Sequence, residues 1–588
     1  MTHFLNHYIL KYTPLSPIHI GTGDSYEPTN YIIDDGTLYE FDTGGAMAAL
    51  TAQDRTELDK ITKGKPDTHM LKDVQRFFYS RREALKPWAV NAIPVLDGVA
   101  NLYASRVGQT ANQEKSGEQA INRLEIDRTA YNPITRQPVL FGSSVKGAIR
   151  TALLNHLNKK ETLPSQDANL FIMENLADHV RKQREREQKK LFPRLNKKLF
   201  QFRDGEFELD PMRLVQLSDA TWDDKNNLPS SQVIITVNKK KHNVVDENGI
   251  EKRSQAEEKN LNKLLECIPY WRYRTFTGQL NLQLVNSLPS SAKTKLPSSS
   301  LCFTAQEIAK ICSGFYIPIL KSEMEEMHNR GFVSGDWYKN IQGLLTKLTD
   351  KLMKGDAFLL RVGRHSGAES VTINGVRHIF ILKGDPEYQQ KTKTLWLAAQ
   401  HKDQRTDLLP FGWVLVEILP ENTADQDWPE LAELCAQQQQ SALAWAKKQA
   451  AQKASLEQKR QEAEQRRERE KLEQHQKAEQ LAQAEKERLA NELAEQQRQA
   501  VIEAKRKLMT VEQLLIDDLR NQLQEKTVKK LREQIGGPLY GDLKKIIDQA
   551  KIWEAKDKAS LKQLGEEILV YLNVKNKKIR EILHDLET

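Results

Sequence analysis

Residues 141–154 read FGSSVKGAIRTALL. The apolar run VLF, 139–141, stops at Phe141, and Gly142 breaks it. Ser143 and Ser144 are residue types that cap helices well. Val145, Ala148, Ile149, Ala152 and Leu153 then recur at helical spacing, so the stretch predicts a strand, a glycine turn and a helix from Val145 onward. A helix start leaves backbone N–H groups unpaired and exposes the positive end of the dipole. That geometry accepts an anion, most often a phosphate oxygen. Lys146 and Arg150 are four residues apart and share one helix face, within reach of a phosphate chain, and Gly147 lets a second backbone approach. The same residues also suit a plain strand–turn–helix connection carrying two solvated cations. The stretch lacks the G-x-x-x-x-G-K-[ST] pattern, so nucleotide hydrolysis is not supported.

Working outward toward the N-terminus, HYILKYT (7–13) reads as an opening strand, followed by a turn, SPIHIGTG (16–23). NYIID and TLYEF around Asp35-Gly36 form a strong hairpin signal. His19, between Ile18 and Ile20, suits either an RNA contact or core filling. Residues 44–86 read as helical, 92–103 as another strand, and 104–135 as a polar approach to the central stretch. Toward the C-terminus, 155–200 is a basic helical insertion, HVRKQREREQKKLFPRLNKK at its centre, either a solvated face or an RNA-facing arm. LDPMRLVQLSDATW, SQVIITVNK and RYRTFTGQLNLQLV read as strands, 239–262 as a charged loop or hairpin extension, 286–300 as a linker and 304–355 as helices. FLLRVGRHSGAESVTI (358–373) reads as strand, glycine-rich loop, strand, and LPFGWVLVEI (409–418) as the last strand of this half. In the loop, Gly363 and Gly367 flank Arg364, His365 and Ser366, where backbone amides can approach a ligand and an arginine can pair with phosphate or stack on a base.

Composition breaks after Trp428. Residues 430–509 are rich in Gln, Glu, Lys, Arg and Ala, with opposite charges at i,i+4 such as Glu462 with Arg466. This predicts a solvated helix reaching roughly 120 Å if unbroken. Its leucines hold no strict heptad, which favours a lone or partner-docked helix over a long coiled coil. Residues 511–588 regain amphipathic order and suggest about four short helices, with a break at Gly536-Gly537-Pro538.

Length, at 588 residues, suggests two to four domains, and a net charge of +8 suits a polyanionic partner. Cys267, Cys302, Cys312 and Cys435 form no C-x-x-C pair and no zinc-like cluster, so no metal or cofactor is expected. They read as reduced thiols, most of them buried. The opening residues carry no signal-peptide core, and no apolar run reaches the roughly 18 residues of a membrane span. A cytoplasmic protein without membrane contact is expected.

Three blocks, SPIHIGTG with its hairpin, FGSSVKGAIRTALL, and LRVGRHSGAESVT with LPFGWVLVEI, together resemble the RAMP superfamily of CRISPR systems. Their order and spacing, over about residues 1–420, are most similar to the fifth-subunit family of the type III-A (Csm) effector complex. The resemblance implies an α+β fold of two ferredoxin-like, RRM-like RAMP domains with helical insertions. The corresponding segments are 1–155, a basic insertion at 156–205, and 206–425, followed by the charged helix at 430–510 and the bundle at 511–588. It implies a non-catalytic subunit that caps the backbone filament near the crRNA 3′ region and supports crRNA maturation. The implied partners are crRNA and backbone RAMP subunits; contact with target RNA stays open, as does a crRNA-trimming nuclease as a partner of the C-terminal helices. Gly142, Ser143, Ser144, Lys146, Gly147 and Arg150 match the first motif, and Gly363, Arg364, His365, Ser366 and Gly367 the second. His19, Gly21 and Gly23 match the N-terminal turn, where a structural role is equally open. The long helix and the bundle exceed the usual length of this subunit. Two other readings stay open: a RAMP endoribonuclease with His19 or His365 as general acid–base, and a structural adaptor acting through the C-terminal helices.

Overall fold

The computed structural model describes residues 4–64, 67–107, 111–113, 119–121, 124–173, 176–223, 228–259, 261–285, 295–381, 387–421 and 427–586. The chain is α+β and divides into two compact units, Met1–Arg467 and Glu468–Thr588. The boundary falls inside one helix, Gln440–Lys507.

The first unit is built on two main sheets. In the larger, the opening strand Leu5–Pro14 lies between Phe276–Gln283 and Trp413–Pro420, antiparallel to both. Tyr12 sits opposite Phe276 on one side and Val416 on the other. Ala357–Arg361 adds an edge beyond Trp413–Pro420; on the far side come Ala220–Trp222 and Val139–Leu140, with Val215–Leu217 also paired to Phe276–Gln283. The second sheet runs Thr394–Ala399, Gln232–Lys240, Lys263–Cys267, Ile126–Thr129, Gly21–Tyr26. Only Lys263–Cys267 and Ile126–Thr129 pair in parallel within it. Both sheets therefore draw strands from 1–155 and from 206–425. The hairpin Tyr31–Asp34/Thr37–Glu40 forms as its Asp-Gly turn predicts, and Asn91–Pro94 joins it.

Two helices cover the larger sheet. Gly142–Asn158 turns Val145, Ala148, Ile149, Ala152 and Leu153 inward. Ala305–Asn329 starts at a capping box in which Thr304 and Glu307 satisfy each other's amides. It supplies Glu323, buried, whose carboxylate accepts from Arg361 at 2.7 Å and from the Trp413 indole N–H at 2.9 Å. That three-way contact fastens helix to sheet edge, and removing one partner of a buried pair of this kind costs about 3–5 kcal/mol.

Three local expectations are corrected. The strand at 92–103 is only Asn91–Pro94; Asp97–Arg106 is a helix, because Val99 and Tyr103 lie at i,i+4 and Asp97 supplies an acidic first turn. After the loop at 362–367 the chain makes a 3-10 turn, Ala368–Ser370, instead of a second strand, since Gly367 at φ +73° bends the backbone away from the sheet. The central helix begins at Gly142 and its N-cap is Phe141, with no side-chain cap. Ser143 and Ser144 therefore sit inside the first turn. Of the expected linker at 286–300, residues 286–294 lie outside the described residues.

Within the first unit, the start of the long helix docks on the hairpin. The Trp445 indole N–H donates to Thr37 Oγ1 at 3.0 Å, and Arg460 lies over the Trp88 ring. In the second unit, Val511–Val528, Pro538–Gln549, Ala555–Tyr571 and Asn576–Leu583 bury Leu519, Leu543, Leu561, Leu564, Ile568 and Leu583 as one core. Gly536-Gly537 ends the link between the first two helices, and Pro538 opens the second at its first position, where its missing N–H costs nothing. Among the described residues no helix is long and apolar enough to cross a membrane.

Candidate nucleic-acid interface

The three sequence motifs meet at one open groove of about 690 Å³. One wall is the first turns of the central helix: Ser143, Ser144, Gly147, Ala148 and Thr151, all on one helix face. The facing wall is Val362, Gly363, Arg364 and Ser366, and the end is closed by Ile20, Gly21 and Gly23. Arg361 and Tyr316 also line it. The Tyr316 hydroxyl, buried, lies 3.1 Å from the Ala148 carbonyl and 3.3 Å from that of Ser370, so it ties the helical wall to the loop.

The walls interlock through backbone. The Arg364 amide donates to the His19 carbonyl at 2.8 Å. Gly363 sits at φ +82°, and a Cβ there would lie 2.4 Å from that same carbonyl oxygen. Only glycine meets both conditions. Gly142 is needed for a different contact: a Cβ on it would lie 2.6 Å from the Ser218 carbonyl. Its amide donates to Asp219 at 2.7 Å, so one of the free donors expected at the helix start is already taken.

The side chains divide less simply. Ser143, Ser144, Gly147, Gly363, Arg364, Ser366, Gly21 and Gly23 line the groove; Gly142, Gly367, Lys146, Arg150, His365 and His19 do not. Lys146 and Arg150 do share a face, but that face meets Asp210: Arg150 pairs with its carboxylate at 3.0 Å and lies over the Phe200 ring. Burial, opposed by Asp210 and assisted by Arg150, holds Lys146 below the ordinary lysine range. Arg364 is the partly exposed cation of the groove and pairs with Asp127 at 2.5 Å; Lys263 approaches the same carboxylate at 3.7 Å.

The two histidines pack behind the groove. His19 is fully buried and its Nδ1 donates to the Glu266 carbonyl at 2.7 Å. Burial lowers its pKa. His365 packs beside the Trp396 and Phe411 rings; burial, then the nearby charge of Arg364, brings its pKa down to about 3. Both are neutral at pH 7, and neither Nε2 has a hydrogen-bond partner among the described residues. Among those residues no group of three or more His, Cys, Asp or Glu side chains is placed to hold a metal ion.

Among the lining residues that the motifs do not single out are Arg361 and Tyr316. Arg361 leaves a signal: it ends the otherwise apolar strand AFLLR, and a cation closing a fully buried strand needs a partner. Tyr316 leaves none, standing beside Phe315 in the middle of the helix Ala305–Asn329.

Residues 11–296 match the family model of the RAMP superfamily. A search among curated proteins finds no match. Among solved structures, a chain of the Csm–crRNA–target RNA ternary complex of a type III-A CRISPR-Cas system is similar at 16% identity and a TM-score of 0.41, over 70% of this chain and 100% of that one. T. onnurineus Csm5 is similar at 15% identity and a TM-score of 0.35, over 69% of this chain and 99% of its own. The family match spans the turn at 16–23 and the helix start at 141–154, and stops short of the loop at 360–372. Over residues 11–296, just under half of its length, the chain is similar to the RAMP superfamily.

Proposed function

We propose that this chain is a guide-RNA-binding subunit of a type III CRISPR effector complex, and that it grips RNA without cutting it. One observation carries the reading: three motifs far apart in sequence, each rich in glycine, build a single open groove. Glycine leaves backbone amides accessible, and amides hold phosphate irrespective of base. Arg364 adds one cation, which RNA phosphate would take over from Asp127. The motif resemblance and the superfamily match supply the context. On this reading the segments 1–155 and 206–425, each giving strands to both sheets, are RRM-like RAMP domains, with the basic insertion at 156–205, the charged helix at 430–510 and the bundle at 511–588. The subunit caps the backbone filament near the crRNA 3′ region and supports crRNA maturation in the cytoplasm. Its partners are crRNA, related backbone subunits, target RNA and a trimming nuclease. Gly142, Lys146, Arg150, His365 and Gly367 then act by shaping or flanking the groove, and the others by lining it.

An endoribonuclease needs a titratable group at the scissile 2′-hydroxyl. His19 and His365 both lie behind the wall, which favours the non-catalytic reading. Gly147→Glu tests it. A Cβ at Gly147 meets nothing within 4 Å, so the substitution puts a carboxylate into the groove without disturbing its walls. Filter binding of single-stranded RNA to the full chain should weaken at least tenfold, and labelled repeat RNA should stay intact with parent and variant. Undiminished binding would reject the groove; cleavage that disappears in His365→Ala would reject the non-catalytic role.

A further inference from the structure

A second cavity lies on the other side of the 16–23 turn. Pro17 lines it, whereas Ile20, Gly21 and Gly23 line the groove. It has two connected chambers sharing Leu96, Gln232, Pro269, Tyr270 and Gln400. The inner one, about 270 Å³, is walled by Ile234, Cys267, Ile268, Ala398 and Leu409. Four polar side chains break this apolar lining: Gln232, Gln400, Ser334 and Asp407. No cation lines it. The outer chamber, about 560 Å³, is about as open as the inner one and more polar. Arg272 and Lys448 line it with Asp35 and Asp97, and Lys448 already pairs with Asp35 at 2.5 Å. Trp445 stands at its side, from the start of the long helix.

Each chamber has its own chemistry. A slot that is part apolar and part polar, with two carboxamides, the Ser334 hydroxyl and the Asp407 carboxylate in its lining, fits a flat, neutral ring that carries donors and acceptors at its edge, and a carboxamide can give and take a hydrogen bond at once. An anion gains nothing there. Tyr270, at the junction of the chambers, offers a ring for stacking. The outer chamber has room for a sugar and balanced charges around it. Jointly the chambers fall in the range of about 300–1,000 Å³ that bound small molecules occupy.

We infer that this cavity is a nucleobase site: a single unpaired nucleobase enters the inner chamber between Gln232 and Gln400, with its ribose in the outer one. The inference deepens the RNA-binding reading and rests on it for its source, an RNA base turned out beside the groove. A free nucleotide presents the same chemistry, so the test separates the two.

The full chain is titrated with each of the four nucleoside 5′-monophosphates by calorimetry. It is also titrated with a single-stranded RNA decamer and with the same decamer made abasic, by filter binding at several salt concentrations. Gln232→Leu/Gln400→Leu keeps side-chain size and removes the edge contacts. The expected result is a fall of at least tenfold in decamer affinity in the double variant, with an unchanged salt slope because no phosphate contact is lost. The abasic decamer should bind parent and variant alike. Gly147→Glu should weaken both decamers and leave monophosphate binding untouched, so failure of the groove and failure of the cavity read differently. Monophosphate binding that the double variant abolishes, with decamer affinity unchanged, supports the base site and assigns it to a free nucleotide. The inference is overturned if the double variant, folded by circular dichroism, binds monophosphates and decamer as the parent does. It is also overturned if the variant loses the abasic decamer equally.

Discussion

Two glycine-to-alanine substitutions in the same groove should have opposite effects. At Gly363 the added methyl meets a backbone in the left-handed region, φ +82°, and a carbonyl oxygen 2.4 Å away. The conformation alone costs an L-residue about 1–2 kcal/mol. The oxygen belongs to His19, on the buried turn, and it accepts the Arg364 amide. Relieving the clash pulls the loop from the turn and strands that pair, which costs about 1–3 kcal/mol more. The sum, about 2–5 kcal/mol, is a large part of the ~5–15 kcal/mol that holds a domain together. At Gly147 the methyl enters open space on a helix, so Gly147→Ala should stabilise by about 0.5–1 kcal/mol. Urea unfolding followed by circular dichroism reads stability, and filter binding of single-stranded RNA reads the groove. Gly363→Ala should lower the midpoint and weaken RNA, although no charge has changed; Gly147→Ala should raise the midpoint slightly and bind as before. If Gly363→Ala unfolds and binds like the parent, the interlocked walls are not what shapes the groove.

Charge gives a second test. Arg364→Ala should make the salt dependence of RNA binding shallower by about 0.7 in log–log slope, one phosphate contact on a single strand, while Asp127→Asn, which frees Arg364 and Lys263, should tighten binding at low salt. Two groups set opposite parts of the acid limb. Glu369 is partly desolvated, yet Lys241 and the Thr392 amide bring its pKa from 4.5 down to about 2. The stability it contributes is full above pH 4.5 and lost as pH falls toward 2. His365, neutral when folded, takes up its proton more readily when unfolded, so stability should also decline as pH falls from 6.5 toward 3. Glu369→Gln should flatten the lower range and His365→Gln the upper, each read from unfolding midpoints against pH. Finally, a chain ending at Arg467 keeps Trp445 and Arg460 on their partners and should unfold cooperatively and bind RNA like the full chain. One ending near 425 should be less stable by differential scanning calorimetry.

Local signals carried much of this. The Asp35-Gly36 hairpin, the helix after Gly142, the strand ending at Arg361 and the charged helix through 440–507 are all written in short-range pattern and turn chemistry. The glycines at 142 and 363 were legible as special; what each must avoid, the carbonyls of Ser218 and His19, comes from distant parts of the chain. The same limit explains Lys146 and Arg150. Their spacing places them on one face, but which face meets the groove depends on Asp210 and Phe200, brought there by the fold. Strand partners were equally hidden, since the opening strand pairs with residues near 280 and near 416. At 97–106 an apolar run fits strand and helix alike, and tertiary packing decided.

The most direct measurement is ultraviolet crosslinking of bound RNA to the full chain, with the linked peptides sequenced by mass spectrometry. Links should fall on three segments in the same sample: 20–23, 143–151 and 361–366. Links confined to the basic helix Asp178–Leu199 or to the C-terminal bundle, with none on those three segments, would contradict this.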